Sequence, residues 1–259
     1  MTGMTDMMQV LKYPIAHRGL HDRKKGVIEN STTAFARAIK AGYGIETDLQ
    51  LSGDGVPMVF HDSDLARLTR QKGKVNSLSA GQLSRIRLTA SRKKDTPQTF
   101  AELLQQVNGQ VPLVVELKRQ EDGRNAQLAR TAVQAARDYE GPLVFKSFYP
   151  DLLREVKNAG FAGPVGIVLT RITPSNDHYH ELSALQRFAV HNLLHYPGSR
   201  FDFISSDHMA LDLPAVRLLH HFGMPVMTWT VNDFATEQKT RGHADQIVFE
   251  QYLPYRATR

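Results

Sequence analysis

The chain has 259 residues, of which 41% are hydrophobic and 22% charged, the balance of an ordinary soluble globular protein. It contains no cysteine, which excludes disulfides, thiolate metal sites and cysteine nucleophiles and fits a reducing compartment. The formal charge is +6, and the basic clusters at 23–25 and 92–94 read either as solvated loops or as attracting an anionic substrate or an anionic lipid surface; they lack interleaved aromatics, which argues against nucleic acid.

In chain order, Met1–Val10 has no basic stretch leading into an apolar run. No secretory signal is therefore expected, and cytoplasmic residence is the default expectation. No apolar run approaches the ~20 residues of a transmembrane segment. Candidate strands are Tyr13–His17, Gly44–Leu49, Pro112–Lys118, Leu143–Ser147, Pro164–Leu169, Asp202–Ser205, Pro225–Thr230 and Gln246–Phe249. Each is short and largely apolar on both faces, the pattern of buried parallel strands. Helical patterns separate them at Ser31–Ala41, Thr99–Val107, Asn125–Tyr139, Pro150–Ala159, Glu181–His191, Leu213–His221 and Phe234–Thr240. Alternating strands and helices predict an α/β fold, a (β/α)8 barrel spanning 1–259 as a single domain.

Val56–His61 breaks the alternation. It follows Gly44–Leu49 too closely for a parallel crossover, which needs a dozen residues or more. Ser52-Gly53-Asp54-Gly55 is turn chemistry, so Val56–His61 is predicted to fold back as a hairpin arm. Residues 52–98 are then an insertion after the second strand, polar and rich in arginine and lysine, flanking the active-site face.

Glu46 and Asp48 are two apart on a strand and point to one face. In a barrel the inward face at the C-terminal strand ends is where active sites are built. Glu116, similarly placed on Pro112–Lys118, adds a third acid. Three oxygen ligands without cysteine suit one hard divalent cation, Ca2+ or Mg2+. His17 and His61, each at a strand end near acids, are candidates for proton transfer, one as base and one as acid. Arg18 and Lys118 are candidates for non-bridging phosphate oxygens.

The ordered set His17-Arg18-Gly19, Glu29-Asn30-Ser31, Glu46-Thr47-Asp48, His61-Asp62, Glu116-Leu117-Lys118, Ser147-Phe148 and Trp229-Thr230-Val231-Asn232 resembles the glycerophosphodiester phosphodiesterase family over nearly the whole chain. The resemblance implies a TIM-barrel hydrolase that converts glycerophosphodiesters to glycerol 3-phosphate and an alcohol. It implies Glu46, Asp48 and Glu116 as metal ligands and His17 and His61 as the catalytic pair. It also implies phosphate contacts from Arg18 and Lys118, Glu29 supporting the site near the glycerol, and Trp229 as an apolar wall. The family's proposed route uses the neighbouring glycerol hydroxyl as nucleophile, forming a cyclic phosphate that water opens.

The chain departs from the family at Val248-Phe249-Glu250-Gln251, where a Thr-Asp pair is common, which leaves that stretch without an assigned role. Two other readings fit the residues: a cyclising phospholipase D-like lyase acting on lysophospholipids, and a phosphate-binding module on an inactive barrel. His178, His180, His191, His195, His220 and His221 lack acid partners at ligand spacing and are expected at the surface or in the core.

Overall fold

The protein is described here from a computed structural model, which covers residues 7–173 and 182–255. Among the described residues nine strands form one sheet: β1 Ile15–Ala16, β2 Gly44–Leu51, β3 Pro57–Val59, β4 Leu113–Leu117, β5 Leu143–Ser147, β6 Val165–Leu169, β7 Phe203–Asp207, β8 Val226–Val231 and β9 Gln246–Phe249. Eight of them run parallel, and β1 pairs with both β2 and β9, so the sheet closes into a barrel. β3 is the exception and pairs antiparallel with β2, Leu49 opposite Val59 and Leu51 opposite Pro57. It is the hairpin arm expected from the short connection.

The helices among the described residues include α1 Thr32–Ala41, α2 Ala80–Leu83, α3 Phe100–Val107, α4 Asn125–Ala135, α5 Pro150–Asn158, α6 Ala184–His191, α7 Tyr196–Ser199, α8 Pro214–His221 and α9 Phe234–Thr240. Ser31 caps α1 by accepting the Ala34 amide, and Gly42, at φ 67°, ends it. Thr99 and Glu102 form a reciprocal capping box on α3. α4 stops four residues short of the expected Tyr139, whose hydroxyl instead accepts the Gly109 amide at 3.3 Å. β1 is shorter than expected because Arg18 and Gly19, at φ 53° and 78°, turn the chain immediately after it. β2 is longer than expected because its far end is paired by β3. Glu181, His178 and His180 lie outside the described residues.

Two apolar layers build the barrel. Outward residues such as Ile45, Leu49, Val115, Leu117, Phe145 and Ile167 pack under the helices. Inward residues Ile15, Val114, Val144, Phe203, Met227 and Val248 plug the interior, with Met7 and Val10 beneath. Gly166 makes room for Phe203: a Cβ there would lie 2.2 Å from Cζ of that ring. On β4 and β5 the next inward positions, Glu116 and Lys146, are charged, and the strand register sets Asp48 beside Glu116 and Glu116 beside Lys146. The interior thus changes from oil to charge within one step toward the C-terminal mouth.

Residues 62–98 carry a satellite core in which Leu65, Leu68, Val75, Leu83 and Leu88 pack on Ile28, Met58 and Phe60. Buried Asp95 fastens the end of this segment to α1, accepting from the Thr33 hydroxyl at 2.7 Å.

Candidate active site

β2 and β4 bring Glu46, Asp48 and Glu116 together, with one carboxylate oxygen of each within 4.8 Å of the others, and all three are buried. Buried acids so close repel unless cations lie among them. Lys118 Nζ is 2.9 Å from Asp48 Oδ1 and 2.5 Å from Glu116 Oε1. Lys146 Nζ is 3.0 Å from Glu46 Oε1 and 3.6 Å from Glu116 Oε2. Burial opposes the charge of Asp48, yet Lys118, His61 and Arg18 hold its carboxyl well below the usual range. Burial likewise opposes Glu116, and Lys118 and Lys146 hold it low. Burial works against the Lys118 ammonium, which Asp48 and Glu116 keep charged beyond its ordinary range. Asn30 Nδ2 donates to Asp48 Oδ2 at 2.9 Å, and Asn30 Oδ1 accepts from Thr47 Oγ1 at 2.8 Å, fixing the carboxylate from behind.

The donor set fits a hard divalent ion. Its clustered donors are carboxylate oxygens, with no cysteine or histidine among them.

His17 leaves the end of β1 with its amide bound to the Phe249 carbonyl at 2.9 Å. Its Nδ1–H donates to Glu250 Oε2 at 2.9 Å, and its Nε2 faces Glu46 at 3.9 Å. Burial opposes the Glu250 charge, but the His17 and His21 rings hold its carboxyl far below the usual range. His61, at the end of the hairpin arm, repeats the arrangement, with Nδ1 2.6 Å from Asp62 Oδ1.

One ion-pair network links the two histidine sides. Arg67 donates from Nε to Asp62 at 2.5 Å, and from Nη1 and Nη2 to Glu29 at 2.8 and 2.7 Å. Glu29 also accepts from Arg18 Nη1 at 2.7 Å, and Arg18 Nε lies 3.5 Å from Asp48 without hydrogen-bond alignment. Burial alone would raise the Glu29 carboxyl; the Arg67 hydrogen bonds and the Arg18 charge bring it down to about 2. Gly19 is required beside Arg18, since a Cβ there would meet Phe35 and Ala34 at 2.9–3.1 Å.

Eight expected residues thus gather at one mouth: His17, Arg18, Glu29, Glu46, Asp48, His61, Glu116 and Lys118. Trp229 stands on the β8 side, its indole N–H bound to the Ser205 carbonyl at 3.0 Å and its ring edge-on to Phe148 at 5.8 Å. Phe148 lines a cavity of about 950 Å3 with His61, Glu116, Lys118 and Tyr149. Trp229 therefore buttresses the cavity wall through Phe148.

Five participants were given no role from sequence: Lys146, Asn30, Arg67, His21 and Glu250. Lys146 had a usable signal, a lone cation in the apolar run Leu143–Ser147. Glu250 lies in the stretch left without a role and turns out to hold His17. His195 and His220 find their partners elsewhere, His195 Nδ1 with Ser199 at 3.0 Å and His220 Nε2 with Asp245 at 3.2 Å.

A closed parallel barrel with clustered acids, two carboxylate-bound histidines and buried cations at its C-terminal mouth has the parts of a barrel phosphodiesterase. The family of glycerophosphoryl diester phosphodiesterases matches residues 17–247; the chain belongs to it and is a phosphoric diester hydrolase. Glycerophosphodiester phosphodiesterase 1 of Bos taurus is 25% identical over 270 residues, 91% of this chain and 78% of that protein. A glycerophosphodiester phosphodiesterase of Bacillus altitudinis is 38% identical over 93 residues, 36% of this chain and 37% of that one. Among solved structures, an Oleispira antarctica phosphodiesterase in complex with the product sn-glycerol-3-phosphate has a TM-score of 0.75 at 23% identity, covering 91% of each chain. A Thermotoga maritima glycerophosphodiester phosphodiesterase has a TM-score of 0.69 at 23% identity, over 92% of this chain and 94% of that one. These structures establish the barrel fold. No helix among the described residues is long and apolar enough to cross a membrane.

Proposed function

We propose that the protein hydrolyses glycerophosphodiesters to glycerol 3-phosphate and an alcohol, with His17 and His61 moving the protons and one divalent cation, Ca2+ or Mg2+, on Glu46, Asp48 and Glu116. The observation that carries this reading is the convergence of three buried carboxylates and two carboxylate-bound histidines on one mouth. The product bound by the Oleispira antarctica relative supports the choice of product.

A cation held by the three acids would supply Lewis-acid polarisation of a phosphoryl oxygen. The chain's own groups do the rest. Arg18 and Lys118 bring positive charge to the non-bridging oxygens. The glycerol hydroxyl next to the phosphate attacks phosphorus, an intramolecular step that avoids recruiting a second molecule. Its proton passes to one histidine, the bond to the leaving alcohol breaks, and the other histidine protonates the departing oxygen. Water then opens the cyclic phosphate, the histidine roles reversed. Because Glu250 and Asp62 each engage an Nδ1, each Nε2 is left for this exchange. Glu29 steadies Arg18 on the glycerol side, and Phe148 backed by Trp229 forms an apolar wall.

The test is release of glycerol 3-phosphate from a panel of glycerophosphodiesters by wild type, His17→Ala and His61→Ala. Loss of turnover in both variants with the fold retained is expected. Unchanged turnover in either removes that histidine from the assignment.

A further inference from the structure

Nine basic and three acidic side chains lie between residues 62 and 98, so this segment alone has a formal charge of +6, equal to that of the whole chain. Its three acids are engaged locally. Asp62 holds His61 and Arg67, Asp64 accepts the Ala66 amide, and Asp95 accepts from Ser91 and Thr33. Arg67 and Lys74 pair with carboxylates; among the described residues no other cation of the segment does.

The remaining cations are exposed. Arg70, Arg85 and Arg87 line a groove of about 560 Å3. The next turn joins this groove to residues 92–94: the Thr89 amide donates to the Leu68 carbonyl and the Leu88 amide to the Asp95 carbonyl, both at 2.8 Å. Arg92 continues it to residues 23–25, its amide donating to the Gly26 carbonyl at 3.0 Å. Its stem lies so close over Gly26, at φ 72°, that a Cβ there would meet Arg92 Cγ at 2.3 Å. In that third cluster Lys25 pairs with Asp22 at 3.0 Å, and Arg23 and Lys24 stay exposed. The distant cluster 23–25 thus abuts the basic segment at Arg92 and extends its cationic surface.

That surface borders the active-site mouth. Asp95 is bound to the first turn of α1, and Arg67 is bound to the Glu29 that holds Arg18. No aromatic residue occurs between 62 and 98, so the face lacks the stacking platforms that single-stranded nucleic acid uses. We propose that this cationic face docks the enzyme on an anionic lipid surface, with the mouth beside the headgroups. Charge complementarity near such a surface contributes roughly fivefold in partitioning per cation, screened by salt. The proposal concerns binding and stands apart from the catalytic reading.

The experiment is co-sedimentation of the full chain with vesicles of phosphatidylcholine alone and of phosphatidylcholine with one third phosphatidylglycerol. Binding is expected only to the anionic vesicles and is expected to fall as salt rises. The combined variant Arg70→Gln, Arg85→Gln, Arg87→Gln is expected to lose roughly a hundredfold in partitioning. Its circular dichroism and its turnover of a water-soluble diester should stay at wild-type values. Should that variant not fold, Arg23→Gln with Lys24→Gln and Lys93→Gln reads the same face. Equal binding to neutral vesicles, or wild-type binding by the folded variant, overturns the proposal. Release from the vesicles by millimolar inorganic phosphate would make the groove a phosphate subsite instead. Tighter binding to a single-stranded RNA oligomer than to anionic vesicles would reassign the face to nucleic acid.

Discussion

Replacing Glu250 with glutamine removes the negative charge that accepts from His17 Nδ1 at 2.9 Å, while keeping the size of the side chain. The ring then loses the partner that fixes its orientation. A hydrogen bond to a charged group contributes about 1.5–3 kcal/mol net. Glu250 is only 20% exposed, so screening removes little of it. If that energy is expressed in the transition state, kcat falls about 10- to 150-fold. KM should change little, because Glu250 acts through His17 and not on the substrate. Glu250→Asp should recover part of the loss, since it restores the charge. The assay is steady-state hydrolysis of a soluble glycerophosphodiester, with urea unfolding as the control. A kcat within twofold of wild type would refute the role, as would a loss that appears only in KM or only in stability.

Glu29 titrates at about 2, below its usual 4.5, so its ion pairs contribute stability above that ordinary value and lose it as pH falls toward 2. With allowance for half-exposed Arg67, the contribution is on the order of 2 kcal/mol. Urea unfolding from pH 5 to pH 2 should therefore show Glu29→Gln losing less stability than wild type over that range, and parallel curves would contradict the pairing. Phe203→Ala should cost about 3–5 kcal/mol by emptying the barrel plug, whereas a loss below about 1 kcal/mol would mean that the barrel collapses around the gap. Lys146, 3% exposed between Glu46 and Glu116, should tolerate Lys146→Met poorly without divalent ion, because two buried acids lose a counter-charge. Thermal denaturation with and without added Ca2+ or Mg2+ checks this, and wild-type stability in metal-free buffer would contradict it.

The barrel was legible because each strand is an apolar run on both faces, and because β2 carries two acids at the two-residue period. The hairpin was legible from a connection too short for a crossover. Helix ends were less so: nothing in Asn125–Tyr139 marks the stop at Ala135. Glu250 was hidden for a different reason. Its partner is 233 residues away, and the two meet only because β9 closes the barrel against β1. Arg67 lies in a segment without periodicity, so its fork onto Glu29 and Asp62 could not be read from spacing. Clusters 23–25 and 92–94 were visible as separate basic runs, while their union depends on the contact of Arg92 with Gly26.

The most direct measurement is titration of metal-stripped protein with Ca2+ and Mg2+, following both bound ion per chain and glycerol 3-phosphate release. One ion should bind per chain, restore turnover in step with its binding, and bind far more weakly to Glu46→Gln and Glu116→Gln. Full turnover by the stripped protein, or unchanged ion binding in both variants, would contradict a catalytic cation on Glu46, Asp48 and Glu116.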